Sequence, residues 1–302
     1  MQSKNLKPLL ASVLLGMAGL ASMAAYAAER ITVENVGLAG PESVVHDPVD
    51  DVYYVSNING GIADKDGNGF ISRVAPDGRV LALKWADGAA AGTTLHAPKG
   101  LAIAGRTLYV ADIDTVHLFD LATGAPQGSV PIPGATFLNG LAALPSGEVV
   151  GTESALRVEG TTVTPTGKDF VYRIGKDRQV AVIAQSPQLN QPNGITALPS
   201  GGFLVATRGA AEVYELTSTG EKRNVRTLPG KIVDGVGVAP DGRMFASSWE
   251  TSEVYSVAPD GQVASPFGKL TAPAADFHFD LQRGRILLPL LRANSLMFAP
   301  LP

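Results

Sequence analysis

Short apolar runs alternate with tight turns along most of the chain. Residues 234–267 (DGVGVAPDGRMFASSWETSEVYSVAPDGQVASPF) contain four such runs, and a Pro-Asp-Gly triplet links each pair of them. Proline presets φ for the first position of a turn and glycine supplies a positive φ, so each triplet indicates a tight turn. Short apolar runs bounded by turn residues are typical of β-strands. Four such strands in succession predict one blade of a β-propeller.

The same pattern recurs along the sequence, with further turns at Pro76-Asp77-Gly78, Pro145-Ser146-Gly147 and Pro199-Ser200-Gly201. Six units can be aligned on the apolar run that opens each one, at about 45 residues per unit, the size of a four-stranded blade. Insertions near residues 58–70 and 157–169 lengthen two of the units. The repeat therefore predicts an all-β fold, a six-bladed β-propeller with four-stranded blades.

The two ends of the chain predict how the ring closes. The last unit lacks its outer strand, and the strand-like residues 31–36 belong to no unit of their own. We expect this N-terminal strand to complete the last blade, which removes an exposed sheet edge. No linker and no long amphipathic helix divides the sequence, so residues 28–302 are predicted to be a single domain.

The first 27 residues are typical of a signal peptide. Lys4 and Lys7 precede an apolar run over residues 9–20, and Ala25-Tyr26-Ala27 matches the small-x-small rule for cleavage. The apolar run is short for a membrane span of about 20 residues. We therefore expect a cleaved signal peptide over residues 1–27, a periplasmic or secreted protein and no stable membrane insertion after cleavage. An uncleaved N-terminal anchor is the alternative.

Composition narrows the possible functions. The chain has no cysteine, which excludes disulfides, thiol nucleophiles and Cys-ligated zinc. Its formal net charge is −4 and it has 2 tryptophans, so neither a basic face nor a stacking surface for nucleic acid is expected. No G-x-S-x-G elbow for a serine nucleophile is present. We expect a monomer that acts on a small molecule and binds no nucleic acid.

A polar residue opens each of the six units, and glycine follows it in four of them. In a propeller the first strand of each blade lines the central channel, so these residues are predicted to face one another at one mouth. Glycine beside them would let the backbones approach closely near the axis. The six residues are Glu42, Lys99, Asn139, Asn193, Asp234 and Asp276.

Such a ring of carboxylate and amide oxygens suits one hard divalent cation. Ca²⁺ fits best, because it prefers oxygen ligands, and Zn²⁺ or Mn²⁺ are alternatives with fewer ligands. A role in turns alone would explain any one of these residues, since Asn, Asp and Gly are common there. It explains less well why Glu42 and Lys99 occupy the same place in the repeat.

Three segments resemble the gluconolactonase/regucalcin (senescence marker protein) family: residues 40–47 (GPESVVHD), 191–195 (QPNGI) and 233–242 (VDGVGVAPDG). The resemblance spans residues 28–302 and implies a six-bladed propeller with one divalent metal in its channel, and the activity of a sugar lactonase. It implies that Glu42, Asn193 and Asp234 are the metal ligands and that Asn139 lies near the substrate. The sequence departs from the family at Pro41-Glu42-Ser43, where Glu-Gly-Pro is usual.

Lys99 is a further departure. An ammonium group that pointed into the channel would weaken metal binding there. It could instead bind a substrate carboxylate, or pair with Asp276 or Glu42. We therefore count Lys99 and Asp276 as predicted substrate-binding residues.

The leading hypothesis is an exported, metal-dependent hydrolase of a lactone or related ester. The metal would polarise the carbonyl, Asp234 would take a proton from the attacking water, and Asn139 would orient the substrate or fill a metal position. The alternative is a non-catalytic propeller that binds a small ligand or a protein. A minor alternative is another reaction on the same scaffold, such as the condensation of strictosidine synthase-like propellers.

Residues 64–72 (DKDGNGFIS) match the first nine positions of an EF-hand calcium loop. Position twelve is Ala75, where a bidentate glutamate is needed, and no helices are predicted on either side. We expect an ordinary polar loop, with a weak second Ca²⁺ site as the alternative.

Overall fold

The computed structural model describes residues 29–302, which form six four-stranded antiparallel sheets arranged as the blades of a propeller. The predicted fold class is confirmed. Residues 1–28, which include the predicted signal peptide, lie outside the described part of the chain. Regular helix within residues 29–302 is limited to two single 3₁₀ turns, Pro187–Leu189 and Leu291–Ala293. No helix in this part of the chain is long and apolar enough to cross a membrane.

The first strand of the chain, β1 (Ile31–Val33), belongs to the last blade, and the first three blades follow it in sequence. Blade 1 consists of β2 (Pro41–Asp47), β3 (Val52–Asn57), β4 (Phe70–Val74) and β5 (Val80–Asp87). Blade 2 consists of β6 (Pro98–Ala104), β7 (Thr107–Asp112), β8 (Thr115–Asp120) and β9 (Pro126–Pro131). Blade 3 consists of β10 (Leu138–Ala143), β11 (Val149–Glu153), β14 (Phe170–Ile174) and β15 (Val180–Gln185), with an inserted hairpin of β12 (Leu156–Glu159) and β13 (Thr162–Pro165).

The remaining three blades repeat the same order, and the last of them takes its outer strand from the chain start. Blade 4 consists of β16 (Pro192–Ala197), β17 (Phe203–Thr207), β18 (Glu212–Leu216) and β19 (Lys222–Thr227). Blade 5 consists of β20 (Val233–Val238), β21 (Met244–Ser248), β22 (Glu253–Val257) and β23 (Val263–Ala264). Blade 6 consists of β24 (His278–Asp280), β25 (Arg285–Leu290), β26 (Ser295–Pro300) and β1.

The turn triplets form the tight turns that the sequence predicts. At Pro76-Asp77-Gly78, Gly78 has φ +90° and donates its N–H to Ala75 O at 2.9 Å. The Asp77 carboxylate accepts the N–H of Arg79 at 3.0 Å, which fixes the turn. These contacts bring the two flanking strands of blade 1 into register.

The hydrophobic core lies in layers between neighbouring blades. Side chains alternate between the two faces of each sheet, so both faces of a blade can pack on its neighbours. Between blades 1 and 2, Tyr54 of β3 packs with Leu101 of β6 and Phe119 of β8. Between blades 6 and 1, Val44 packs with Phe298. The ring is therefore stabilised by burial of apolar surface at every seam.

The N-terminal strand closes the ring, as predicted, but it is shorter than the sequence suggests. Strand β1 pairs with β26 in antiparallel register, with Ile31 opposite Phe298 and Val33 opposite Leu296. The predicted strand over residues 31–36 ends at Val33. The chain leaves the sheet because Asn35 adopts φ +57°, outside the extended region.

A buried polar cluster also joins blades 6 and 1. The Asp280 carboxylate accepts the Tyr53 hydroxyl at 2.5 Å and Arg285 Nε at 3.2 Å. Arg285 donates Nη2 to Pro76 O at 2.6 Å and also contacts the Tyr53 hydroxyl. All three side chains are buried, so the cluster pairs a buried cation with a buried anion.

Candidate functional site

Five of the six predicted site residues occupy one equivalent position, the second residue of the innermost strand of a blade. They line a single cavity of about 350 Å³ at one end of the channel. All five are buried. The residues are Glu42 of β2, Lys99 of β6, Asn139 of β10, Asn193 of β16 and Asp234 of β20.

A β-bulge follows at the same place in all five of these strands. In blade 1 the pairing of β2 with β3 shifts between Pro41 and Val44, and in blade 5 the pairing of β20 with β21 shifts between Val233 and Val236. Blades 2, 3 and 4 show the same shift. A bulge bends the strand and redirects a side chain, so this repeated irregularity accounts for five polar groups at one mouth of the channel.

The glycines beside the site residues permit the inner strands to approach closely. A Cβ atom on Gly100 would lie 2.3 Å from the carbonyl oxygen of Asn139. A Cβ on Gly194 would lie 2.3 Å from the carbonyl oxygen of Asp234. Any side chain at either position would push apart the strands that carry the site.

Three buried oxygen atoms in the cavity have no hydrogen-bond partner within residues 29–302: Glu42 Oε2, Asn193 Oδ1 and Asp234 Oδ1. Buried polar atoms normally have partners, so each of these needs an explanation. They belong to the three residues predicted as metal ligands. Two carboxylate oxygens and one amide oxygen are a donor set that a hard divalent cation accepts. The residues present therefore fit such an ion.

The charges around the cavity also favour a bound cation. Burial and repulsion by Asp234 and Asp276 raise the pKa of Glu42 well above its usual range, against the attraction of Lys99. Burial and repulsion by Asp276 raise the pKa of Asp234 to about 8, although Trp249, Arg208 and Asn193 oppose the shift. A cation bound between these carboxylates would offset both effects.

No ion pair within residues 29–302 involves Lys99, and its ammonium group is buried. Its side chain is 2 % exposed, Nζ donates to Ala97 O at 3.1 Å, and Nζ lies 4.4 Å from the centre of the Phe137 ring. Burial lowers its pKa, although the charges of Asp112, Glu42 and Glu153 oppose this. The predicted pairing with Glu42 or Asp276 is therefore not formed, and the ammonium faces the cavity.

Asn139 is held by a short chain of hydrogen bonds. Its Nδ2 donates to Ser154 Oγ at 3.3 Å, and Ser154 Oγ donates to Pro192 O at 2.7 Å. Ser154 directly follows the second strand of the same blade, and Pro192 precedes Asn193. The contacts fix the Asn139 amide beside the predicted ligand Asn193.

Asp276 is the predicted residue that the structure separates from the other five. It lines a second cavity of about 470 Å³, at the opposite end of the channel, with His46 and His278. Its Oδ2 accepts the Ser43 hydroxyl at 2.8 Å, and its N–H donates to Glu42 O at 2.9 Å. Burial raises its pKa to about 7, although Ser43 opposes the shift. Its negative charge raises the pKa of Glu42 and Asp234, but its side chain does not line their cavity.

Sequence analysis missed a second ring of residues, those that directly follow the second strand of a blade. Four of them line the same cavity and form its outer wall: Ile58, Arg208, Trp249 and Leu291. The next residue, Arg292, places its guanidinium 5.2 Å from the centre of the Trp249 ring. Alignment of the repeats on their second strands, as well as their first, would have identified these residues from the sequence.

Two further carboxylates hold the loops that lead into the innermost strands. Asp112, at the end of β7, accepts the N–H groups of His96 at 2.7 Å and Ala97 at 2.8 Å. Glu153, at the end of β11, accepts the N–H of Phe137 at 3.0 Å. Each thus positions the chain just before a site residue. Both residues end the second strand of a blade, and this shared position in the repeat could have identified them from the sequence.

The EF-hand-like segment is held by contacts within the protein. The Asp66 carboxylate accepts Asn68 Nδ2 at 2.7 Å, and Asn59 Nδ2 donates to Asn68 O at 2.8 Å. His96 Nδ1 accepts the N–H of Gly67 at 2.9 Å. Within residues 29–302 no three His, Asp or Glu side chains lie close enough together to hold a metal ion by themselves. This loop therefore lacks the acidic cluster of a calcium loop, and the channel set depends on the amide of Asn193.

Comparison with known proteins finds structures of similar fold. No known protein-family model matches the sequence, and no curated protein matches it significantly. Several solved structures are similar in fold. A gluconolactonase from Xanthomonas campestris superimposes with a TM-score of 0.69 at 18 % identity, covering 90 % of this chain and 89 % of that one.

Two further structures are similar. A proposed gluconolactonase gives a TM-score of 0.66 at 17 % identity, covering 89 % of this chain and 91 % of that one. Virginiamycin B lyase from Staphylococcus aureus gives a TM-score of 0.64 at 12 % identity, covering 91 % of this chain and 99 % of that one. At such identities the likeness establishes the fold. The chain therefore shares the six-bladed propeller architecture of the gluconolactonases, as its own sequence motifs indicate.

Proposed function

We propose that the protein is a metal-dependent hydrolase of a lactone or a related ester. The observation that carries the proposal is the group of three buried, unpartnered oxygens on Glu42, Asn193 and Asp234 in one cavity. Its likeness to a gluconolactonase structure supports the lactone as substrate class. The walls are mostly apolar and enclose a volume that suits a small molecule.

Glu42, Asn193 and Asp234 would hold the metal through these oxygens. When bound, a divalent cation acts as a Lewis acid that polarises an ester carbonyl. Ca²⁺ is our first choice because the donors are all oxygen, with Zn²⁺ or Mn²⁺ as alternatives.

The side chains of the cavity account for the other requirements of the reaction. Asp234 accepts a proton from the attacking water at a carboxylate oxygen. Asn139 orients the substrate, because its amide is fixed by Ser154. Ile58, Ile232 and Leu291 form apolar walls that limit access of bulk water. No covalent nucleophile is needed.

A second function has one observation in its favour. The ammonium of Lys99 faces the cavity without an ion-pair partner in residues 29–302, and such a cation could bind a small anion with no reaction. A non-catalytic binding propeller is therefore our alternative. Metal content and turnover distinguish the two.

The test is a screen of sugar lactones and aryl esters with the purified protein, before and after treatment with a chelator. We expect hydrolysis that is lost with the chelator and restored by one divalent cation. Hydrolysis that survives complete metal removal would contradict the proposed mechanism. Binding of small anions with no turnover on any ester would favour the alternative.

We also propose that residues 1–27 direct export, so that the active protein is periplasmic or secreted. The supporting pattern is Lys4, Lys7, the apolar run and Ala25-Tyr26-Ala27. Mass spectrometry of the protein from its native host should show an N-terminus at or near Ala28. An N-terminus at Met1 in the membrane fraction would contradict export by cleavage.

A further inference from the structure

Three cations line the cavity that holds the proposed metal ligands: Lys99, Arg208 and Arg292. Only two carboxylates, Glu42 and Asp234, line the same cavity. None of the three cations takes part in an ion pair within residues 29–302, whereas Arg283 and Arg285 at the blade 6 seam are both paired. By formal charge, the lining therefore has one cation more than it has carboxylates.

Arg208 is the most informative of the three. It directly follows β17, is half-buried, and donates Nη1 to Gln191 Oε1 at 3.3 Å. Burial lowers its pKa, although the charge of Asp234 opposes this. A guanidinium has five N–H donors, and a neutral amide oxygen satisfies one of them here. The charge of Asp234 offsets part of the cost of burying this guanidinium, but no carboxylate within residues 29–302 forms an ion pair with it.

Arg292 lies at the outer rim of the same cavity. Its side chain is exposed, and its guanidinium lies over the ring of Trp249, 5.2 Å from the ring centre. This cation–π contact limits the positions that the long side chain can take. The rim therefore presents a second guanidinium that a ligand can reach from solvent.

We propose, building on the function proposed above, that the substrate is an anionic lactone or ester whose second charged group, a carboxylate or a phosphate, binds Arg208 and Arg292. Guanidinium groups bind both kinds of oxyanion through paired N–H donors. The ester group then lies deeper, towards Asn139 and Asp234. The cavity of about 350 Å³ limits the substrate to about the size of one sugar ring.

This arrangement predicts discrimination against neutral substrates. A lactone without the charged group would leave the half-buried guanidinium of Arg208 without an anionic partner. Sites built to bind a polar group reject analogues that lack it, because the buried donors are left unpaired. The loss of one charge-assisted contact should reduce binding about tenfold or more.

The test uses three γ-lactones that differ only at the terminal carbon of the sugar chain. The lactone of D-gluconate carries a neutral hydroxymethyl group there, that of D-glucarate a carboxylate, and that of phosphogluconate a phosphate. Two quantities are measured for each: kcat/KM with metal, and the Kd for the chelator-treated protein by calorimetry. The variants are Arg208→Gln, Arg292→Gln and the matched control Arg226→Gln, an exposed arginine on the outer strand of blade 4.

We expect at least one anionic lactone to have a kcat/KM about tenfold or more higher than that of the neutral lactone, and a Kd about tenfold or more lower. The better of the two anionic lactones identifies the charged group. The preference should fall in Arg208→Gln and Arg292→Gln and persist in Arg226→Gln. Equal values for all three lactones, or a preference that survives in both Arg208→Gln and Arg292→Gln, would overturn the proposal. Arg292→Gln changes an exposed side chain, so a folding defect in Arg208→Gln would not prevent the test.

Failure of this proposal can be told from failure of the hydrolase proposal. Turnover of the neutral lactone at the same rate as the anionic ones would overturn the anion site and leave the hydrolase in place. Tight, Arg208-dependent binding of an anionic lactone without turnover of any lactone would support the anion site and contradict the hydrolase.

Discussion

Asn193 donates its amide Nδ2 to the carbonyl oxygen of Val233 at 3.2 Å. Val233 immediately precedes Asp234, so this contact ties one proposed metal ligand to the strand that carries another. It also fixes the amide orientation, which leaves Asn193 Oδ1 without a partner among the described residues. The proposed donor set is therefore organised by the protein before a cation binds.

Lys99→Met should strengthen metal binding. The Lys99 charge lowers the pKa of Glu42, so it acts on a proposed ligand, and it would repel a cation in the same cavity. Removal of one such like charge near a buried site is worth roughly 1–2 kcal/mol, or about tenfold in Kd. Titration calorimetry with Ca²⁺ measures the change.

The matched control for this prediction is Lys168→Met, which removes an exposed lysine. We expect its Kd for Ca²⁺ to equal that of the wild type. Weaker metal binding in Lys99→Met than in Lys168→Met would contradict the account, because it would make the ammonium a supporting group of the metal site.

Val33→Ala should destabilise the ring closure. Val33 is 4 % exposed on β1 and packs in the seam between blades 6 and 1, so truncation removes buried apolar contacts. We expect a loss of about 2 kcal/mol in the free energy of unfolding. Val263→Ala is the control on the outer strand of blade 5, where the side chain is 43 % exposed. Equal denaturation midpoints for the two variants would show that the ring does not depend on β1.

Asp280→Asn should weaken the same seam through its polar cluster. The change removes the anion that faces the buried Arg285, and an unpaired buried charge typically costs about 3–5 kcal/mol. Glu34→Gln, which removes an exposed carboxylate on the same blade edge, is the control. Urea denaturation of both variants measures the difference, and an unchanged midpoint for Asp280→Asn would contradict this role.

The seam also predicts a pH dependence. Burial opposes ionisation of Asp280, but hydrogen bonds from Tyr53 and Arg283 and the charges of His46 and Arg283 hold its pKa below the ordinary value. A lowered pKa means that its contribution is fully present above the unfolded value of about 4 and is lost as pH falls through the folded value. We expect the wild-type melting temperature to fall more steeply below about pH 4 than that of Asp280→Asn. Parallel curves for the two proteins would contradict the assignment.

Much of the fold could be predicted because each blade repeats the same local signals. Turn triplets such as Pro76-Asp77-Gly78 mark the strand ends, and the apolar runs between them mark the strands. The length of β1 could not be predicted, because the apolar pattern of residues 31–36 does not mark the left-handed conformation of Asn35, two residues after the last paired residue, Val33.

The site was predicted in part for the same reason. Glu42, Asn193 and Asp234 occupy one place in the repeat, and the ring geometry brings that place to one cavity. Arg208 and Trp249 share a place at the ends of second strands, but their residue types differ too much to show a pattern. The predicted register of blade 6 is wrong by one residue: Asp276 pairs with Ser43, the residue after Glu42, so its side chain faces the second cavity.

The metal stoichiometry of Asp234→Asn, beside that of the wild type and Asp66→Asn, tests whether the channel cavity holds the metal. Asp234→Asn keeps the shape of the side chain but removes a ligand charge and the proposed base, while Asp66→Asn makes the same change in the EF-hand-like loop. We predict one tightly bound divalent metal per chain in the wild type and Asp66→Asn. In Asp234→Asn we predict loss of that metal and a fall in hydrolysis of at least ~10²-fold. Equal stoichiometry and equal turnover in all three proteins would contradict the channel site.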